Sequence, residues 1–215
     1  MVRSSDLQMK IQKAYNQWSA TYDSDLNLTR DLDQTATAEA LSNLHFEAVL
    51  EVGCGTGKNT TFLSQIGKRV LAFDFSQGMI KKAKEKLAST RIFFCAADVV
   101  EGWPCHSSSV GLVTCNLVLE HIEDLSPVFS EAYRTLVKGG LLYVSELHPY
   151  RQYQGKKARF EGGGGKLEID AYVHHLSDFF DAAQGCRFAL KKFREWWHEE
   201  DAGQLPRLAS FLFQK

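Results

Sequence analysis

No apolar run in the 215 residues approaches the roughly 20 needed to span a bilayer. No CxxC pair occurs, and the five cysteines, at 54, 95, 105, 115 and 186, are odd in number. Neither a disulfide framework nor a zinc site is therefore expected. Cys54, Cys95 and Cys115 lie in or beside apolar, strand-like runs, where inert buried thiols are found. No charge of one sign prevails: 25 Lys and Arg stand against 26 Asp and Glu, a net charge of −1. The chain thus lacks a broad field for gathering nucleic acid or anionic membrane, and neither is expected as a partner. The opening MVRSSDLQMKIQK lacks the apolar core of a signal peptide, so the cytoplasm is the expected location. Internal repeats are absent, and the single low-complexity stretch is GGGG at 162–165.

What is present reads as one soluble α/β domain, 44% apolar and 24% charged. Residues 6–22 carry Leu7, Ile11, Ala14, Tyr15 and Trp18 at helical spacing, and 31–44 read as a second helix. From 47 to 147 short apolar runs alternate with helical patterns. The runs are 47–53, 69–75, 91–98, the opening of 110–122, and 141–147; the helices are 59–67, 76–88 and 125–140, the last expected to stop at Gly139-Gly140. Near-continuous apolar strands between helices imply a parallel sheet covered on both faces, hence a doubly wound fold. Residues 176–184 look helical, and RFALKKF and RLASFLF look like a closing pair of strands.

Between the first strand and its helix stands VLEVGCGTG, residues 49–57. Its glycines, Gly53, Gly55 and Gly57, follow G-x-G-x-G. The dinucleotide fingerprint needs its third glycine one position later, and the Walker pattern fails because Asn59 replaces Ser or Thr. Glu51 precedes the loop, Asp74 ends the next strand 21 residues after Gly53, and Asp98 ends the third. Acids at these strand ends face the crevice where ligands of such folds bind: Asp74 is placed for ribose hydroxyls and Asp98 for an adenine amino group.

These residues carry a resemblance. VLEVGCGTG, VLAFDFSQGMIKKAK, FFCAADVVEGWP, SVGLVTCNLVLEHIEDL and LVKGGLLYVSE are similar to the successive motifs of class I S-adenosylmethionine-dependent methyltransferases. The nearest resemblance is to the small-molecule group that includes ubiquinone- and biotin-pathway enzymes. It is close over 47–147 and looser to the C-terminus. It implies a mostly parallel seven-stranded sheet with an N-terminal helical lid and a small insertion after strand five. On that pattern the chain is one domain: a cap at 1–45, a cofactor-binding core at 46–148, a lid at 149–170, and a C-terminal helix with closing strands at 171–215. S-adenosyl-L-methionine would be the cofactor. Glu51 would orient the loop or a bound water, and Gly53, Gly55 and Gly57 would let the methionine half approach. Asp74 would take the ribose, Phe75 and Met79 would flank the adenine, and Asp98 with Val99 would hold its N6. Asn116 and Leu117 would line the methionine moiety, and Tyr15 and Tyr22 of YNQWSATYD would reach its carboxylate or simply pack the lid.

Methyl transfer needs alignment and water exclusion more than a catalytic cluster. Substrate contacts are expected from strand ends four and five, the first helix and the segment after 148. Glu146 and His148 leave strand five toward the methyl end, and His148 is either a general base or a loop cap. Trp18, His121, Arg151 and Tyr153 are expected against the substrate. Arg151, Lys156, Lys157 and Arg159 form either a solvated face or a site for an acidic acceptor, free or carrier-presented. The GGGG run suits a lid hinge. His174-His175 are not expected to bind metal, since neighbours on a strand face opposite ways. NPPY, which many amino-group and nucleic-acid methylators carry, is absent after strand four, where NLVLEH stands. The expected function is methyl transfer to oxygen, nitrogen or carbon of a small molecule, by a monomer or homodimer. The alternatives are an NAD-dependent oxidoreductase, which the glycine spacing disfavours, and a silent cofactor-binding subunit.

Overall fold

A computed structural model describes residues 4–155, 159–162, 165–169 and 171–215. Lys156, Lys157, Gly163 and Gly164, invoked above for a basic cluster and a hinge, lie outside them. Two helices, α1 (Ser4–Trp18) and α2 (Leu28–Leu41), precede β1 (Phe46–Val52). Then come α3 (Lys58–Ile66), β2 (Gly67–Asp74), α4 (Gln77–Lys86), β3 (Ile92–Ala96) and β4 (Val110–Asn116). A 3-10 turn at Leu119–His121 leads to α5 (Ser126–Thr135), β5 (Leu136–Leu147) and α6 (Pro149–Tyr153). A small hairpin, β6 (Arg159–Gly162) and β7 (Gly165–Glu168), precedes α7 (Leu176–Gly185), β8 (Ala189–Trp196) and β9 (Leu208–Gln214).

The seven-stranded sheet runs β3-β2-β1-β4-β5-β9-β8. Its first five strands are parallel, and β9 and β8 close it antiparallel. The chain winds outward from β1 in one direction and from β4 in the other, so the sheet's switch point opens between them at the strands' carboxyl ends. Residues 49–52 are all buried because helices cover both faces. Leu50 and Val52 face one core, with Phe129, Phe211 and Phe213; Val49 faces the other, with Leu63, Val70 and Tyr143.

One boundary differs from the sequence reading. α5 ends at Thr135, not at Gly139-Gly140. The hydroxyl of Thr135 donates back to the Glu131 carbonyl, Leu136 turns extended and pairs with Val110, and the two glycines fall inside β5. There they sit beside a register shift between Val110 and Leu112, with Gly139 at φ 78°. They make a bulge rather than a helix stop. Likewise 171–175 carry no strand: His174 Nε2 meets the carbonyls of Leu119 and Ile122, and His175 caps α7.

The turn after β1 is the tightest point of the fold. Gly53 has φ 68°, and a Cβ built there would stand 2.2 Å from Val118 Cγ2. Gly53→Ala is expected to cost about 2–4 kcal/mol, from steric overlap plus a left-handed backbone. Urea unfolding checks this, and Val118→Ala in the same chain should restore only the steric part. Full recovery would show that the backbone geometry carries no cost.

Candidate functional site

At the switch point lies a cleft of about 1040 Å³, the open solvent at its mouth included. The glycine loop forms its floor. The N–H groups of Gly53 and Cys54 both donate to the Phe73 carbonyl, and that of Gly55 donates to Asp74 Oδ2 at 2.9 Å. Asp74 Oδ1 accepts from Ser76 N–H at 2.8 Å, so backbone donors orient its carboxylate while each oxygen keeps a second lone pair. A Cβ at Gly55 would meet no protein atom within 4 Å, so the loop leaves open space there.

The first helix and its connector roof the cleft. Gln12 donates to the Phe75 carbonyl at 2.7 Å, and Asn16 Oδ1 accepts from Ser76 and Gly78 at the start of α4. Asp23 accepts from Thr56 of the glycine loop at 2.6 Å and from Lys86 of α4 at 2.8 Å. The Tyr15 ring lies 6.0 Å from Phe75, and its hydroxyl meets His121 Nε2 at 2.8 Å. Leu117 adopts φ 55°, a strained conformation for a side chain with a Cβ, and its N–H donates to Ser145 O as the chain passes over the cleft.

The cleft brings together Tyr15, Tyr22, Glu51, Gly53, Gly55, Asp74, Phe75, Met79, Asp98, Val99, Asn116, Leu117 and His121. The other expected site residues stand elsewhere. Gly57 is the N-cap of α3 at φ 81°, packed against Leu87. The Trp18 indole is buried behind the lid, 4.7 Å from Tyr22 between ring centres, with Nε1 on Asp25. Glu146 does not face the methyl end: its Oε1 accepts from the N–H groups of Val118 and Leu119 and so holds the turn after β4. His148 is fully buried as the N-cap of α6, with Nδ1 accepting from Tyr150 N–H and Nε2 2.9 Å from Glu195. With both ring nitrogens engaged it is a cap, and burial pulls its pKa down. Arg151 bonds Asp201 at 2.9 Å and the carbonyls of Leu205 and Pro206, so no acidic ligand reaches it. Tyr153 is exposed and its hydroxyl meets His175.

Sequence reasoning overlooked the contribution of α2 and the start of α3. Arg30, Asp33, Lys58 and Asn59 also line the cleft. The Arg-x-x-Asp step of Arg30 and Asp33, at the start of the helix, was the available signal, since one helical turn puts both on one face.

The acids of the cleft are desolvated. Burial pushes Glu51 up to about 8, although its carboxylate accepts from Thr60, and Asp74 up to about 6 despite two backbone donors. Burial raises Asp33 too, against the amides of Asn116 and Asn59. Desolvated acids on this side of the cleft leave no place beside them for an anion such as a pyrophosphate, while Arg30 and Lys58 line the cleft as well.

Comparison with known proteins gives a consistent answer. A methyltransferase domain model matches residues 50–144. A malonyl-[acyl-carrier protein] O-methyltransferase of Hamiltonella defensa is 30% identical over 138 residues, 64% of this chain and 50% of that protein. The biotin biosynthesis bifunctional protein BioHC of Cellvibrio japonicus is 28% identical over 165 residues, 77% of this chain and 31% of that protein. The chain thus spans half or less of the length of these curated relatives. Among solved structures, an S-adenosylmethionine dependent methyltransferase from Mesorhizobium loti superposes with a TM-score of 0.73 at 18% identity, covering 88% of this chain and all of that one. The N-methyltransferase NodS from Bradyrhizobium japonicum, in complex with S-adenosylhomocysteine, gives 0.66 at 16%, covering 89% of each.

Glu51 makes stability depend on pH. Its folded pKa, about 8, lies above the ordinary value of about 4.3, so its favourable contribution is complete below about pH 4 and lost as pH rises through about 8. The melting temperature of the ligand-free protein should fall between pH 5 and 8.5, and fall less in Glu51→Gln. Scanning calorimetry checks this, and equal slopes would remove Glu51 as a source.

Proposed function

We propose that the chain, whose residues 50–144 match a methyltransferase domain model, is a class I S-adenosylmethionine-dependent methyltransferase that methylates a small acceptor, free or carrier-presented, with S-adenosylmethionine as donor. The observation that carries this reading is the cleft itself: an oriented Asp74 beside a G-x-G-x-G loop, with two further buried acids, Asp33 and Glu51, and space above Gly55. A cationic nucleoside fits that surrounding, whereas a dinucleotide would bring its phosphates against the acids.

Asp74 takes the ribose hydroxyls, Phe75 and Met79 flank the adenine, and Asp98 with Val99 meets its edge. Glu51, Gly53, Asn116 and Leu117 line the methionine half. When bound, the cofactor supplies an electrophilic methyl group on a sulfonium. The protein's tasks are alignment and exclusion of water, and the roof of α1 serves both. Tyr15 and His121, joined across the cleft, are the groups placed to orient the acceptor and receive its proton. The names of the relatives favour a carboxylate or thioester-borne acceptor on a carrier, and the compartment proposed is the cytoplasm. No helix of the described residues is long and apolar enough to cross a membrane.

Titration calorimetry with S-adenosylhomocysteine, with NADH in parallel, is the deciding experiment. Micromolar binding of the first alone is expected, and binding of NADH alone would overturn the reading. Asp74→Ala should weaken S-adenosylhomocysteine at least tenfold, about 1.4 kcal/mol, as expected for lost hydrogen bonds to a charged group. Unchanged affinity in a folded variant would remove Asp74 from the ribose site.

A further inference from the structure

Two buried acids meet at the turn after β4, and they differ in what they hold. Glu146 accepts the N–H groups of Val118 and Leu119 and so fixes the turn. Glu120 lies inside the 3-10 turn and is 7% exposed. Its main-chain carbonyl accepts from Tyr172 N–H at 2.7 Å, which ties the chain there without the side chain. The Gln152 side chain of α6 stands beside its carboxylate, and its Oε2 meets no hydrogen-bond donor among the described residues. Burial pushes its carboxyl up to about 7. A buried acid so thinly partnered costs the fold free energy, so its place is explained by what it faces. It faces His121, itself buried: Glu120 Oε1 stands 3.8 Å from His121 Nε2.

The same nitrogen meets Tyr15. The Tyr15 hydroxyl is 2.8 Å from His121 Nε2, and both side chains line the cleft. Burial raises that hydroxyl well above its ordinary range, and Tyr22, Glu120, Asp74 and Glu146 add to the shift. Tyr15 therefore stays a phenol and donates, which makes Nε2 the proton acceptor of the pair. A proton arriving there creates a buried imidazolium, which is costly unless a carboxylate stands near. Resting on the methyl-donor reading above, we propose that Glu120 is a positioning residue for the Tyr15–His121 pair, holding the ring toward the cleft and supplying the counter-charge when His121 takes the acceptor's proton. The acceptor's bond to hydrogen breaks, and its electron pair makes the new bond to the methyl carbon as the carbon–sulfur pair leaves with sulfur. The proton goes to the Tyr15 oxygen while the Tyr15 proton passes to Nε2. Tyr15 ends as it began, and the positive charge rests on His121 opposite Glu120. The other titratable groups facing the pair are Tyr22, Asp74 of β2 and Glu146 of β5. Both of those acids are already bound by backbone N–H groups.

The test reads His121 itself and needs no acceptor. Protein labelled with carbon-13 in its histidine rings and glutamate carboxyls is titrated by NMR between about pH 5 and 9 with S-adenosylhomocysteine bound. The His121 ring signal is identified by its loss in His121→Gln. Glu120→Gln should lower the His121 midpoint by at least one pH unit, a tenfold weaker hold on the proton. Its affinity for S-adenosylhomocysteine, read by calorimetry, should stay within twofold of the natural protein's. A role confined to packing would change the melting temperature and leave the midpoint where it was, and an unchanged midpoint overturns the proposal. Where Glu120→Gln does not fold, the natural protein decides. The Glu120 carboxyl carbon must then shift across the same pH range as the His121 ring, as interacting groups do, and two independent titrations overturn the proposal. If S-adenosylhomocysteine fails to bind the natural protein, it is the donor reading that falls, and this inference with it.

Discussion

The end of β2 sets the geometry on which the rest depends. The Phe73 carbonyl takes the N–H groups of Gly53 and Cys54, and the next side chain, Asp74, takes that of Gly55. Three successive amides of one loop are thereby fixed by two successive residues of a neighbouring strand. Gly53 can turn there only because it lacks the Cβ that Val118 would exclude, so the turn after β4 must also be in place. That turn is held by Glu146, whose carboxylate receives the N–H groups of Val118 and Leu119. Floor and wall, carried by β1, β2, β4 and β5, are thus one mechanical unit.

How much of this could be read from the residues depends on the range of the interactions. The parallel sheet was legible because a fully covered strand writes itself as a continuous apolar run. Asp74 was legible because its place, at the end of the strand after a glycine loop, is fixed within one βαβ unit. His148, Arg151 and Glu146 were misjudged because their partners are distant: Glu195, Asp201 and the amides after β4. A polar side chain at a strand end looks the same in sequence whether it meets a ligand or a buried neighbour. The helix expected to run to Gly139-Gly140 failed on the same ground, since pairing of Leu136 with Val110 decides where α5 stops.

The omission of α2 has a different cause. Its periodicity is that of an ordinary amphipathic helix, and nothing in it marks Arg30 and Asp33 as lining a cleft. Arg30 is buried where its guanidinium meets the carbonyls of Tyr22 and Asp25 in the connector, and Asp33 where Asn59 and Asn116 meet it. The polar face of α2 is thus turned into a wall of the cleft by contacts from elsewhere in the chain. Charge in a helix cannot be assigned to solvent until what packs across it is known.

The same burial shapes the energetics of the ligand-free protein. Asp33, Glu51 and Asp74 are all desolvated, and each has its charged form disfavoured. A hydrophobic or amide replacement at such positions commonly stabilises a fold, because a buried charge without a cation contributes cost and little packing. Their presence in a chain that has an ample core elsewhere is therefore an argument about the ligand rather than the fold. A cation entering the cleft favours the charged forms of these acids, and a ligand that binds the folded state alone stabilises it by mass action. Stability surrendered without ligand is returned on binding, in the one place where the doubly wound sheet leaves room for it.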